Sequence, residues 1–146
     1  MTTDNGTTFR HSVPVQLRFN DADSLGHVNN SVYFSFYDLG KTEYFRTILG
    51  KNYYGTKIDI VVAHAEVDFL QPVFLTDDIA VQTRVSEMGH KSFKLQQRIV
   101  CLNTGAVKCV CTTVMVGFDF TTGATIPISS ELRGLIADYE SREDFR

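Results

Sequence analysis

The sequence is poor in cysteine and proline and lacks tryptophan: 146 residues include three Cys, three Pro and no Trp. The cysteines, Cys101, Cys109 and Cys111, lie within apolar runs, which favours buried free thiols in a reducing cytoplasm over a disulfide framework. No apolar run approaches the roughly 18 residues of a membrane span, and polar residues 1–10 lack the apolar stretch of a secretory signal. The sequence therefore predicts a cytoplasmic protein without a membrane span.

An excess of positive charge is also missing. Lys and Arg number 14 and Asp and Glu number 17, which gives a formal net charge of −3. A main partner made of nucleic acid would require a basic surface, so this class of function is excluded. The hydrophobic fraction of 43% is ordinary for a globular protein of this length. We expect residues 1–10 to form a flexible leader and residues 11–146 to form a single domain.

The first half of the chain changes its hydrophobic period once. Apolar residues alternate over residues 13–19, which predicts a strand, and Pro14 favours an edge position for it. Apolar residues then recur at helical spacing and predict a long helix over about residues 31–49. Asn29 or Asn30 is its expected N-cap, and Gly50 is its expected end.

The second half is mostly β-structure. Alternating or β-branched apolar segments predict strands over residues 63–69, 79–85, 93–99 and 106–116. Short, turn-rich connections predict that these four strands form an antiparallel meander. A short C-terminal helix is predicted to begin at about Ser130. Strands grouped apart from the long helix indicate an α+β fold with the sheet packed on that helix.

The densest polar segment lies between the first strand and the long helix. It contains Asp21, Asp23 and His27 and ends at the helix start, Asn29–Asn30. Unpaired N–H groups at a helix N-terminus can polarise a carbonyl and hold an oxyanion, and a nearby carboxylate can attack or activate water. The segment is therefore either an acyl-transfer site or simply a turn followed by a helix cap.

This segment also carries a family resemblance. Residues 18–33 read RFNDADSLGHVNNSVY and resemble the signature of the 4-hydroxybenzoyl-CoA thioesterase-like acyl-CoA thioesterases, which have the hotdog fold. The resemblance continues through VDFLQPV at 67–73, TDD at 76–78, KSF at 91–93 and IP at 126–127, before ELR at 131–133. It implies a five-stranded antiparallel sheet wrapped around one long helix, with a short C-terminal helix. It also implies homodimers that pair their sheets edge to edge, and tetramers built from them.

The resemblance implies hydrolysis of an acyl-CoA thioester to free acid and CoA, with no metal or redox cofactor. The family's catalytic carboxylate falls on Asp23, and its oxyanion donor falls on the backbone N–H of Asn30. Two other functions stay open: a non-catalytic acyl-CoA-binding hotdog module, and a hotdog enoyl-CoA hydratase, whose Asp/His spacing is not found here. CoA and acyl carrier protein are both possible carriers of the acyl group.

The other residues of the segment have structural alternatives. Asp21 is expected to brace the loop through its backbone or Arg18. His27 either orients the water or thioester, or packs beneath the loop, and Asn29 caps the helix beside the substrate. Tyr33 is either a core residue or part of the acyl pocket.

Three further regions bear on the site. By resemblance, Lys91, Ser92 and Phe93 lie along the pantetheine arm of CoA, although the segment also reads as an ordinary turn. His64 shares a strand face with two carboxylates, but a rise of about 6.6–6.8 Å per two residues disfavours a metal triad. That face is a solvated or interface face, and His64 would line a pocket only if a dimer covered it. Asp38 stands where many relatives carry Glu, which puts a second carboxylate from the helix in doubt.

Overall fold

An antiparallel sheet and two helices make up the part of the chain described by the structure, residues 8–51 and 58–146 of a computed structural model. The elements are β1 (His11–Val15), α1 (Val32–Leu49), β2 (Ile60–Phe69), β3 (Ile79–Met88), β4 (Ser92–Cys101), β5 (Val107–Asp119), β6 (Ala124–Thr125) and α2 (Ser130–Glu140). The predicted α+β class and both predicted helices are confirmed. The two-residue strand β6, which pairs with the end of β5, was not predicted.

The strand order is β1-β3-β4-β5-β2, and every neighbouring pair is antiparallel. Strands β3, β4 and β5 form the expected meander. The expectation that β2 would join it beside β3 is wrong, because β2 pairs with β5 at the opposite edge. Its connection to β3, residues 70–78, is too long for a hairpin turn and lets the chain cross the sheet. Within the described residues, both outer strands therefore have a free edge.

Strand β1 is shorter than its sequence pattern predicts. The alternation continues to Phe19, but the strand stops at Val15, opposite Ile79, where its partner β3 begins. Phe19 lies in a 3-10 turn and is 87% exposed. The edge position inferred from Pro14 is confirmed. Residues 1–7 of the predicted leader lie outside the described residues. Phe9, also in the predicted leader, packs against Arg98, with Arg98 Cζ 4.3 Å from the centroid of the Phe9 ring.

Helix α1 packs across the sheet through a buried stripe that includes Tyr37, Gly40 and Tyr44. A Cβ atom on Gly40 would lie 2.9 Å from Val81 Cγ2 and 3.0 Å from Gln97 Nε2. The helix therefore lies so close to the sheet that a Cβ atom at this position would clash with the sheet side chains.

Helix α2 closes the end of the core farthest from the start of α1. Glu140 at its last turn accepts hydrogen bonds from the Tyr44 hydroxyl at 2.6 Å and from the Val85 backbone N–H at 3.0 Å. The Ser129 side chain caps the helix by accepting from Leu132. Neither of the described helices has the length and apolar character needed to cross a membrane. All three cysteines are free and buried, as predicted.

A buried histidine leads us to expect that the stability of this core depends on pH. His11 is 7% exposed and packs edge-on to Tyr44. Burial lowers the pKa of His11, and the opposing effect of Glu43 is smaller. A pKa lowered by folding means that the unfolded chain binds the proton first, so stability falls as the pH drops below about 6.5.

We therefore expect the wild type to lose more thermal stability between pH 8 and pH 5 than His11→Phe, which keeps an aromatic ring but cannot titrate. Thermal unfolding of both proteins across this range measures the difference. Parallel curves for the two proteins would show that His11 titrates alike in the folded and unfolded states.

Candidate active site

An open cleft of about 420 Å³ lies where the start of α1 meets the polar loop before it and the end of β2. Its wall includes five of the residues singled out from the sequence: Asp23, His27, Asn29, Asn30 and Tyr33. The opposite wall is formed by residues 69–72. The polar segment thus forms one side of a concave surface.

The Asp23 carboxylate shapes the loop with one oxygen and leaves the other open. Asp23 Oδ1 accepts the backbone N–H groups of Leu25 at 2.9 Å and His27 at 3.2 Å. The Asp23 N–H donates to the His27 carbonyl at 2.8 Å, and Gly26 supplies the positive φ of 82° needed at the tip. Within the described residues Oδ2 has no hydrogen-bond partner, and the side chain is exposed. This oxygen is available to a bound molecule.

Asp21 has the opposite environment. It is 1% exposed, and its carboxylate accepts the backbone N–H of Arg18 at 2.8 Å and the guanidinium of Arg18 at 3.0 Å. Its carbonyl also accepts the Asn29 N–H at 2.8 Å. The predicted bracing role of Asp21 is confirmed, because its side-chain carboxylate and its backbone carbonyl both accept hydrogen bonds from the loop.

The N–H groups at the start of the long helix differ in whether they are paired. Asn29 Oδ1 accepts the backbone N–H and the hydroxyl of Ser31 at 3.1 and 3.0 Å. The N-cap residue of α1 is Ser31, so the expectation that Asn29 or Asn30 would be the N-cap is wrong by one or two residues. The Val32 and Tyr33 N–H groups donate to the carbonyls of Asn29 and Asn30. In the described part of the chain, the Asn30 N–H has no acceptor. Asn30 lines the cleft at the positive end of α1, where an unpaired N–H suits a developing negative charge.

His27 and Tyr33 each contact an aromatic ring beside the cleft. The half-buried His27 ring packs edge-on to Phe74, with ring centroids 5.0 Å apart. Tyr33 is 2% exposed and packs edge-on to Phe69 at 5.2 Å. Burial raises the pKa of Tyr33, so its hydroxyl stays protonated. Tyr33 is thus a core residue that also forms the floor of the cleft.

Two residues of interest lie away from the cleft within one chain. Asp38 is on the outer side of α1, with a side chain 77% exposed and an ion pair to Lys41 at 3.6 Å. His64 is on the outer face of the edge strand and contacts Glu66 at 2.9 Å. No group of three or more potential metal ligands is found among residues 8–51 and 58–146.

The segment Lys91–Phe93 lies at the far end of the same sheet. Phe69 pairs with Cys109 on β5, whereas Ser92 pairs with Val116, seven residues further along that strand. At about 3.4 Å per residue the separation along the strand is about 24 Å. Phe93 itself is 1% exposed and packs against Phe45, so its ring supports the core and is unavailable to a ligand.

Comparison with known proteins identifies the family. Residues 17–136 match the family model described as the thioesterase-like superfamily. The chain belongs to this superfamily. Acyl-CoA thioester hydrolase YbgC of Escherichia coli O157:H7 is 31% identical over 114 residues, which cover 73% of this chain and 84% of that protein. Acyl-CoA thioesterase YbgC of Haemophilus influenzae is 29% identical over 118 residues, covering 74% and 82%.

Solved structures of thioesterases share the fold of this chain. A thioesterase from Thermus thermophilus, complexed with coenzyme A and Zn, superposes with a TM-score of 0.79 at 31% identity, covering 92% of this chain and 96% of that one. A predicted thioesterase from Bacillus stearothermophilus gives a TM-score of 0.77 at 23% identity, covering 88% and 94%. The expected hotdog fold is confirmed.

The sequence alone did not predict the second wall of the cleft, residues 69–72. Leu70, Gln71 and Pro72 follow β2 and reach the cleft only because β2 pairs with β5. The resemblance included these residues, but no role followed from their chemical types. The signal in the sequence was the apolar pair Phe69 and Leu70 shortly before Pro72. In the single chain both side chains are exposed.

Proposed function

We propose that this chain hydrolyses acyl-CoA thioesters to free acid and CoA, with Asp23 as nucleophile or general base and the Asn30 N–H as oxyanion donor. One observation carries the proposal: Asn30, whose N–H is unpaired among the described residues, and Asp23, whose Oδ2 is likewise unpaired, line the same cleft. The relatives named as acyl-CoA thioester hydrolases and the related structure with coenzyme A support the substrate class.

Two routes use these groups. In the first, Asp23 Oδ2 attacks the thioester carbonyl, the CoA thiolate leaves, and water then hydrolyses the mixed anhydride. In the second, Asp23 takes a proton from water as the water attacks, and the tetrahedral intermediate expels the thiolate, which is then protonated. In both, the Asn30 N–H stabilises the oxyanion. Label in the Asp23 carboxylate after a single turnover in heavy-oxygen water indicates the anhydride with water attack at the Asp23 carbonyl, because the general-base route places the label only in the product acid.

The binding site for CoA extends onto a partner subunit in this proposal. If two β2 edges pair antiparallel, the start of the partner's β2 lies beside the cleft. The partner subunit's Lys91 and Ser92 are then three strand spacings of about 4.8 Å away, or about 14 Å. This separation suits the pantetheine arm better than the distance of about 24 Å within one chain. The same pairing would bring His64 towards the interface.

We expect the protein to be at least a dimer, because β2 is a ten-residue strand whose outer edge has no strand partner among the described residues of one chain. Light scattering at micromolar concentration should give a mass of two or more chains of 16.4 kDa. Specific activity should fall when the protein is diluted below the dissociation constant of the dimer. A fully active single chain would contradict the shared site.

A thiol-release assay on a panel of acyl-CoAs tests the reaction. We expect release of free CoA from at least one member, with unchanged turnover after treatment with a chelator, since neither route needs a metal or redox cofactor. Hydration of an enoyl-CoA without thiol release would indicate a hydratase. Binding without either reaction would indicate an acyl-CoA-binding module. The same panel on acyl carrier protein identifies the carrier.

A further inference from the structure

A buried lysine on β5 lies behind the cleft wall and has no part in the chemistry above. Lys108 is 9% exposed, and its Nζ is 3.2 Å from the Pro72 carbonyl oxygen and 3.6 Å from Asp77 Oδ2. The Asp77 side chain is 19% exposed. A charge at this depth is costly unless it is paired and hydrogen-bonded, so the position of both partners is strongly determined.

Residues 70–78, the crossing segment, connect β2 to β3. Lys108 binds this segment through both the backbone and the side chain of the lysine. Its carbonyl accepts the N–H groups of Leu70 at 2.9 Å and Gln71 at 3.0 Å, while its ammonium binds the Pro72 carbonyl. Asp77 completes the attachment by accepting the Phe74 N–H at 2.9 Å. The crossing segment is therefore fixed to β5 at one residue.

The crossing segment is joined in turn to the loop that carries Asp23. The Val28 N–H donates to the Val73 carbonyl at 2.8 Å. His27 and Phe74 form an isolated β-bridge, and their rings pack edge-on. The His27 N–H then donates to Asp23 Oδ1. A shift of the crossing segment would therefore reach the carboxylate through His27.

We infer that Lys108 and Asp77 are a positioning pair, which sets the place of His27 and through it the orientation of the Asp23 carboxylate. The inference rests on the proposed function for its effect on turnover, but the placement of His27 is independent of that function. A misplacement of about 1 Å at a reacting group costs about 10²-fold in rate.

Steady-state kinetics give the first test. Lys108→Met should lower kcat by about 10- to 100-fold and change KM by less than about threefold. Lys108→Arg keeps the charge and should recover most of the loss. Asp77→Asn keeps its size and an acceptor for the Phe74 N–H, and the double variant should lose no more than the worse single variant. Tyr44→Phe is the control, since it removes a buried hydrogen bond at the other end of the core and should leave kcat unchanged.

Nuclear magnetic resonance gives a second test that needs no turnover. The His27 ring protons lie in the ring-current field of Phe74, so their signals should move in Lys108→Met and Asp77→Asn and stay in place in Tyr44→Phe. Unmoved His27 signals, or a kcat within about twofold of the wild type in folded Asp77→Asn, would overturn the positioning role. If Asp23→Asn is fully active while the His27 signals move as expected, the proposed function fails and the positioning pair stands.

Discussion

Asp23→Asn is expected to lower turnover by about 10²–10⁴-fold, the range for a positioned general base. The amide keeps the shape of the carboxylate and an oxygen that can accept the Leu25 and His27 N–H groups, so the loop should keep its conformation. It has neither the charge to attack a thioester nor the basicity to activate water. Steady-state thiol release measures the loss, and circular dichroism with CoA binding should show a folded protein that still binds product.

Asp21→Asn is the matched control because it makes the same chemical change two residues away. Asp21 is buried against Arg18, so the substitution should cost about 1–3 kcal/mol of stability through the weakened charge-assisted hydrogen bonds. Its turnover should stay near the wild-type value at temperatures where it is folded. An inactive Asp21→Asn beside an Asp23→Asn that keeps more than about a tenth of turnover would mean that the two roles are reversed.

Gly40→Leu is expected to destabilise the fold by about 1–3 kcal/mol through overpacking. A side chain at this position meets Val81 and Gln97, and the Gln97 amide cannot simply withdraw. It is 2% exposed and donates to the Tyr37 carbonyl at 2.9 Å and to Thr83 Oγ1 at 3.0 Å. Moving it would break buried hydrogen bonds. Chemical denaturation of the variant measures the loss, and an unchanged midpoint would show that α1 can move away from the sheet at no cost.

Alanine at two helical glycines separates crowding from helix propensity. Replacing Gly by Ala in a helix interior gains about 0.8–1 kcal/mol in the absence of contacts. Gly134 in α2 offers such a site, because an added Cβ would lie at an ordinary 3.4 Å from an Arg146 side-chain nitrogen. We expect Gly134→Ala to stabilise or to be neutral, and Gly40→Ala to destabilise.

The elements that the sequence predicts well are those whose signal is local. Helix α1 was expected over about residues 31–49 and spans Val32–Leu49, because its apolar residues repeat every turn and Gly50 ends it with a φ of 58°. The end of β1 could not be predicted in the same way. Phe19 continues the alternation of the strand, yet whether a residue is in a strand depends on a partner far along the chain.

The residues of the candidate site likewise differ in whether their signal in the sequence is local. Asp23 and Asn30 are seven residues apart, so a loop and a helix cap in one short segment indicated both. Lys108 lies 36 residues beyond Pro72. It is the one charged residue in the apolar run 106–116, but the sequence of that run does not indicate its partner. Only the pairing of β2 with β5 brings these two residues together, and hairpin-sized connections had suggested a different pairing for β2.

The crossing of β2 to the far edge of the sheet also has a kinetic consequence. Phe69 has no strand partner until Cys109 has been synthesised and β5 has formed, and β1 likewise waits for β3. Such non-local pairings must close large loops before any contact repays the lost entropy, which slows folding relative to a helical protein of the same size. On the ribosome, the loop with Asp23 and the start of α1 emerge early but face an incomplete wall. The cleft wall formed by residues 69–72 therefore cannot be complete before β5 has been synthesised.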